Sequence, residues 1–163
     1  MNARPKIKIT SGPADRMLDI ISIVLVIGIW SLVLYHYNIL PETINTHFDA
    51  SGHVNGTGSK NTLFVIPIIS TLLFFLFVAL NRAPHLFNYP VAITEENALR
   101  QYSLATRMLR VLNTGLQVSM LATAYAMVRS QDSATVGIWL LPLIMGLTTL
   151  PVVYYFMQAK KAG

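Results

Sequence analysis

The sequence predicts an all-α integral membrane protein with four transmembrane helices and a structured extracytoplasmic loop between helices 1 and 2. Three observations carry that expectation. Only 12% of the 163 residues are charged and 53% are hydrophobic, against about 25% charged in an ordinary soluble domain, and mean hydropathy is +0.53. Four segments, 17–37, 62–80, 106–128 and 136–157, are long and apolar, and about 20 such residues of helix cross a hydrocarbon core about 30 Å thick. The basic residues gather in alternate connections. Arg4, Lys6, Lys8 and Arg16 precede the first span, Arg82, Arg100, Arg107 and Arg110 lie between or near the start of spans two and three, and Lys160 and Lys161 follow the fourth. The other two connections carry one basic residue each, Lys60 and Arg129.

That alternation is the positive-inside pattern. It places both termini and the 81–105 segment in the cytoplasm, and the 38–61 loop outside, for a multi-pass membrane protein. The net charge of +5 is thereby assigned to topology and the lipid bilayer, with no nucleic-acid partner. With no cysteine, disulfides, iron–sulfur clusters and thiol catalysis are excluded.

Residues 1–16 read as a basic cytoplasmic tail, with Pro5 and Pro13, mobile beside anionic headgroups. The membrane domain follows over 17–157. Asp19 sits in the first turn of span one, where the helix dipole favours an anion, and Trp30, Tyr35 and Tyr37 fall in its outer half as an interfacial belt would. The run is long for a signal peptide and no small-x-small cleavage pattern follows it, so it reads as a retained span. Pro41 breaks the chain. The loop 38–61 is then rich in turn formers, Asn45, Gly52, Asn55, Gly56, Gly58 and Ser59, with a short strand expected over 44–48. Pro67 falls near the first turn of span two, where its missing N–H costs little.

After the turn region 81–89, Thr94 reads as a helix N-cap with Glu95 and Glu96 in the first turn. Nothing interrupts helix from 95 to 128, about 50 Å at 1.5 Å per residue, so this helix should overhang the bilayer on the cytoplasmic side. Glu96 and Arg100 stand at i,i+4. Gly115, Ser119, Ala122 and Ala126 make a small-residue face that serves close packing inside the bundle or in a homodimer. Pro142 and Pro151 lie in span four, with a kink expected around 148–151. Residues 158–163 read as a second cytoplasmic tail.

Three groups of side chains could carry function. In the outer loop, His47, Asp49 and His53 are imidazole and carboxylate groups suited to a divalent metal such as zinc, with Glu42 or His36 to complete a shell. The structural alternative has His47 packed under the loop, Asp49 capping a turn through its side chain, and His53 solvated. Lys60 either snorkels to the interface or forms an ion pair with Asp49 or Glu42 that fixes the loop. Within the membrane, Asn113 and Gln117 lie one turn apart, to bond across helices or to line a path for a solute. On the cytoplasmic side, Asn88, Glu95, Glu96, Asn97 and Arg100 offer a docking surface for a regulator, or serve capping and loop closure.

The run Pro41, His47-Phe48-Asp49, Gly52, Asn55-Gly56 and Ser59-Lys60, followed by an apolar span with Pro67, resembles the small bacterial membrane domain of unknown function found at the N-terminus of sporulation-delaying-protein toxin immunity proteins. Asn88-Tyr89-Pro90 and Thr94-Glu95-Glu96-Asn97 are similar to stand-alone members. The resemblance covers about residues 17–110. It departs at Asn55, where the family usually has aspartate, and at Thr57-Gly58, where a more aromatic segment is usual. It implies a multi-pass protein of the bacterial cytoplasmic (inner) membrane, in toxin immunity, envelope sensing or signalling, with His47, Gly52 and Lys60 as the framework of a loop in which Asp49, His53 and Asn55 are further candidates for ligand binding or loop fixing. The expected function is non-enzymatic recognition of a ligand, such as a peptide toxin, at the outer loop, relayed to a cytoplasmic partner. The alternatives are a metal-dependent membrane enzyme at His47, Asp49 and His53, and a small transporter using Asn113 and Gln117.

Overall fold

A computed structural model of the chain describes residues 4–131, 133 and 135–162. It contains four long helices, α1 (Pro13–Tyr37), α2 (Val65–Leu80), α3 (Ala98–Arg129) and α4 (Leu140–Lys161), and a two-stranded antiparallel hairpin, β1 (Thr43–Phe48) and β2 (Val54–Ser59). A 3-10 turn over Lys60–Phe64 leads into α2, and another over Pro84–Leu86 follows it. All four helices, counting the turn at Lys60 with α2, are long and apolar enough to cross a membrane, the mark of a multi-pass membrane protein. Their outward faces carry exposed Ile20, Val24, Leu72, Phe75, Leu150 and Val153, an apolar area that a monomer in water does not leave open. The expected all-α class is corrected by the sheet. β2 is Val-Asn-Gly-Thr-Gly-Ser, poor in strand formers, and it exists because β1 and the helix ends hold it.

The central element is α3, which packs against α1, α2 and α4. A ladder of polar pairs joins it to α1. Asp15 meets Arg107 at 2.9 Å, Asp19 meets Arg110 at 3.2 Å, and the Ser22 and Thr114 hydroxyls bond at 2.9 Å. The order 15, 19, 22 against 107, 110, 114 rises on both helices, so they run parallel and repeat one contact face per turn. Asp15 is also fixed from its own helix end, accepting the Gly12 N–H at 2.9 Å. Thus Asp19 has a direct cation partner, beyond the dipole role expected of it.

Asn113 and Gln117 are buried between α2 and α3. The Gln117 amide accepts from the Ser70 hydroxyl at 2.5 Å, and donates to the Ser70 carbonyl and to Asn113 Oδ1, each at 3.2 Å. This network gives the buried Gln117 side chain three hydrogen bonds, one accepted and two donated, as burial demands.

Both termini lie at one end of the bundle. The N-terminal segment, expected as a mobile tail, is instead docked. Arg4 donates to the Phe87 carbonyl and lies over the Tyr89 ring, and the Tyr102 hydroxyl donates to the Pro5 carbonyl at 3.1 Å. The expected C-terminal tail is mostly helix, since α4 runs to Lys161. Its last turns are held by Gln101, which donates to the Ala159 carbonyl at 2.8 Å, and by packing of Tyr155 and Ala159 on Ala105.

The start of α3 also shifts. Thr94 and Asn97 exchange hydrogen bonds, Thr94 N–H to Asn97 Oδ1 at 2.9 Å and Asn97 N–H to the Thr94 hydroxyl at 3.3 Å. Residues 95–97 form a turn, and regular α-helix begins at Ala98 rather than 95. On the small-residue face, Gly115, Ser119 and Ala126 are buried, and Gly115 lies against the backbone of Leu147 in α4.

Candidate functional site

The hairpin stands at the end of the bundle opposite the termini, and four separate ties hold it there. Its inner tie is apolar. Ile44 is buried in a cluster with Ile29 and Val33 of α1, Leu63 and Ile66 at the start of α2, and Ala124, Met127 and Val128 of α3. Its base is closed by Lys60, whose ammonium meets Glu42 Oε1 at 2.9 Å and lies 4.9 Å from the Tyr37 ring, while its backbone N–H donates to the Glu42 carbonyl at 2.9 Å. The next side chain, Asn61, accepts the Tyr37 hydroxyl at 2.6 Å. Of the two acids considered for Lys60, Glu42 is its partner; the pairing of Asp49 with Lys60 does not form.

The third tie uses Asn45. Its Nδ2 donates to the Ser130 carbonyl at 2.7 Å, and its N–H donates to Gln131 Oε1 at 3.3 Å. The fourth is at the hairpin tip, where the Gly52 carbonyl accepts from Val136 N–H at 2.8 Å and from the Thr135 hydroxyl at 2.9 Å. Gly52 has φ +80°, and a Cβ there would lie 2.4 Å from the Gly137 carbonyl oxygen. Only glycine fits both the left-handed backbone and that approach. These contacts take up residues 135–137, so α4 starts at Leu140 and not at the expected 136. Besides the ends of α1 and α2, the hairpin grips both ends of the connection between α3 and α4.

Asp49 organises the turn. Its Oδ1 accepts the N–H groups of Ser51 at 2.8 Å and His53 at 2.9 Å, and its carboxylate stands 3.6 Å from the His53 ring. The His53 N–H, with help from Ser51, holds the carboxyl below its ordinary 3.8. A depressed carboxyl pKa adds stability above its unfolded value and loses it as pH falls through the folded one. The turn is therefore expected to stay ordered at pH 5 and to loosen only as pH drops below 3.8, read from the His53 amide shift in an NMR titration. Loosening between pH 5 and 7 would contradict this account.

The metal set expected at His47, Asp49 and His53 does not converge. Asp49 and His53 adjoin, but His47 sits on β1 opposite Gly56, with Nδ1 3.1 Å from the Thr46 hydroxyl. Among the described residues no group of three or more histidine, aspartate or glutamate side chains could hold a metal ion. The strand register slips at Thr46 and at Asn55, which have no paired partner, and His47, His53 and Asn55 all face solvent. Glu42, Lys60, Tyr37 and Asn61 form the hairpin's polar base. Asn45, marked only as a turn former, and Gln131, Thr135 and Gly137, which no motif marked, complete its anchorage. A cavity of about 310 Å³ opens beneath the tip, lined by Phe48, Asp49, Gly52, Val136, Leu140 and Ile144 among others. It is mostly apolar with one carboxylate at the rim.

At the other end, Asn97 is committed to the α3 cap and donates to the Ala92 carbonyl at 2.9 Å. Asn88, Glu95, Glu96 and Arg100 are exposed there. No ion pair joins Glu96 to Arg100 among the described residues.

A membrane-type helical bundle with a docked extramembrane hairpin is thus the class that fold and site define. Residues 24–71, from the middle of α1 through the hairpin to the first turns of α2, match a family described as a domain of unknown function, DUF1648. The chain is also similar to an uncharacterized protein of the archaeon Archaeoglobus fulgidus, 29% identical over 132 residues, which span 76% of this chain and 70% of that protein. No solved structure matches it. The matched family segment contains His47, Asp49, Gly52, His53, Asn55 and Lys60.

Proposed function

We propose that the protein is a non-enzymatic recognition module of the immunity or envelope-sensing type. It sits in a prokaryotic cytoplasmic membrane with both termini inside and the hairpin outside. The positive-inside charge pattern supports that orientation. The resemblance of the His47, Gly52 and Lys60 framework to the toxin-immunity domain supports the class.

One observation carries the reading. The hairpin is fastened at once to the α1–α2–α3 core through Ile44 and to the segment leading into α4 through Gly52. A peptide or lipid segment lodged in the cavity beneath the tip would press on both attachments. Tilting α3, whose far end lies beside the exposed Asn88, Glu95, Glu96 and Arg100, would pass that event to a cytoplasmic regulator. Such coupling needs a ligand that binds one arrangement better than the other.

The test is tolerance of cells to a membrane-active peptide toxin, with the wild-type chain and with His47→Ala, Lys60→Ala and Glu42→Gln variants at matched protein levels. Lys60→Ala and Glu42→Gln are expected to reduce tolerance alike, since each opens the hairpin base. Tolerance conferred equally by all variants, or by none of the chains including wild type, would remove the immunity reading.

A further inference from the structure

The geometry points to a binding site for an anionic phospholipid headgroup at the end of the bundle that carries the termini. A cavity of about 590 Å³ lies there, between the docked N-terminal segment, α1 and the end of α2. Its wall changes character with depth. Lys8, Arg82 and Arg110 supply positive charge at the polar end, while Ile23, Phe74 and Val78 form an apolar side. Ile23 is 45% exposed on the outer face of α1, so the apolar side opens laterally toward the lipid.

The charges do not cancel within the cavity. Asp19 also lines it, but Arg110 covers that carboxylate with 3.2 Å contacts to both oxygens. Lys8 and Arg82 are exposed and have no ion-pair partner among the described residues. Two net positive charges therefore face the space. Two neutral polar groups stand with them. Ser11 accepts from Arg110 at 2.9 Å, which leaves its hydroxyl hydrogen available to an anion. Asn81 lines the cavity, and its Oδ1, buried without a hydrogen-bond partner, is in a costly state that a turn of the side chain toward a ligand donor would relieve.

A phosphodiester satisfies Lys8, Arg82 and Ser11, a hydroxyl on its headgroup satisfies Asn81, and an acyl chain fits along Ile23, Phe74 and Val78. Phosphatidylglycerol has all three parts. The apolar side, open to the bilayer, selects the lipid over free phosphate, which has nothing to place there. The docking of residues 4–11 is what roofs the site, giving the segment a role the sequence did not suggest.

The full-length protein in detergent, titrated with phosphatidylglycerol and with phosphatidylcholine of equal chain length and followed by native mass spectrometry, tests this. Wild type is expected to hold one phosphatidylglycerol in preference to phosphatidylcholine. The Lys8→Gln/Arg82→Gln variant should lose that preference by roughly 30-fold, taking about 1 kcal/mol for each basic side chain near an anionic headgroup. Lys160→Gln/Lys161→Gln removes the same charge from the same end of the bundle but outside the cavity, and should retain the preference. Equal loss in the two double variants would mean diffuse surface attraction and overturn the site. So would an unchanged preference in Lys8→Gln/Arg82→Gln, or none in wild type. Displacement of the lipid by inorganic phosphate at equal concentration would overturn the choice of a lipid. Asn81→Leu, which keeps both charges, should bind phosphatidylglycerol less tightly than wild type while melting no lower; unchanged binding would overturn the headgroup hydroxyl's placement.

Discussion

Gly52→Ala is expected to release the hairpin tip from the 135–137 segment while leaving the hairpin base in place. A Cβ at position 52 would lie 2.4 Å from the Gly137 carbonyl oxygen and 2.7 Å from its carbonyl carbon. The obstacle is backbone, so no side chain can swing aside. Alanine also opposes the left-handed backbone at φ +80°, at about 1–2 kcal/mol, and forced overpacking adds about 1–3 kcal/mol. The two hydrogen bonds accepted by the Gly52 carbonyl go with the contact, at about 1 kcal/mol each. Local opening limits the total, because the tip detaches before the bundle unfolds. The readout is hydrogen exchange at the Val136 amide, which donates to Gly52. Its protection should fall by about two orders of magnitude, matching a local cost near 3 kcal/mol, while amides of β1 near Ile44 stay protected. Gly56→Ala makes a fair control. Its Cβ would meet His47 Cβ at 3.1 Å, a contact inside the hairpin and away from the 135–137 segment, so Val136 protection is expected to stay. Unchanged protection of Val136 in Gly52→Ala would refute the tip contact.

The spans were legible because the hydrophobic demand of the bilayer acts on each segment separately. The hairpin was only half legible. Its turn formers and the strand at 44–48 stood out, yet β2 lacks the alternation of a strand and owes its form to docking. Lys60 was marked, but choosing Glu42 over Asp49 needs the hairpin register, in which Thr43 faces Ser59 and Glu42 is brought to Lys60. Asp49 read as a turn-capping residue on its own local spacing, and its bonds to Ser51 and His53 are of that local kind. Gly52 was marked as well, but its neighbour Gly137 is 85 positions away, with no motif to link them. The Asp15–Arg107 and Asp19–Arg110 pairs were missed for a related reason. Each charge made sense alone, as a dipole partner or an interfacial residue. The signal that was present was the shared spacing, acids four apart on one helix and arginines three apart on another, which fits two helices running the same way.

Gly115→Ala is expected to force α3 and α4 apart, and Pro151 explains why that contact is tight. Proline has no N–H, so the Leu147 carbonyl four residues earlier lacks its usual helical donor. That carbonyl is turned toward α3, where its oxygen lies 2.7 Å from the position a Cβ on Gly115 would take. Thr148 and Thr149 bond to the Ile144 and Met145 carbonyls, so neither hydroxyl competes for Leu147. The small residue on α3 thus accommodates a backbone group that the proline on α4 sets free. Adding a methyl should cost about 2–3 kcal/mol, in the range of overpacked cores, and lower the melting temperature in detergent. Because the obstacle depends on the proline, the effect should be coupled. In a Pro151→Ala background the new N–H can draw the Leu147 carbonyl back into α4, and Gly115→Ala should cost less by more than about 0.5 kcal/mol, the spread expected for independent sites. A strictly additive double variant would separate the two residues and return Gly115 to an ordinary packing position.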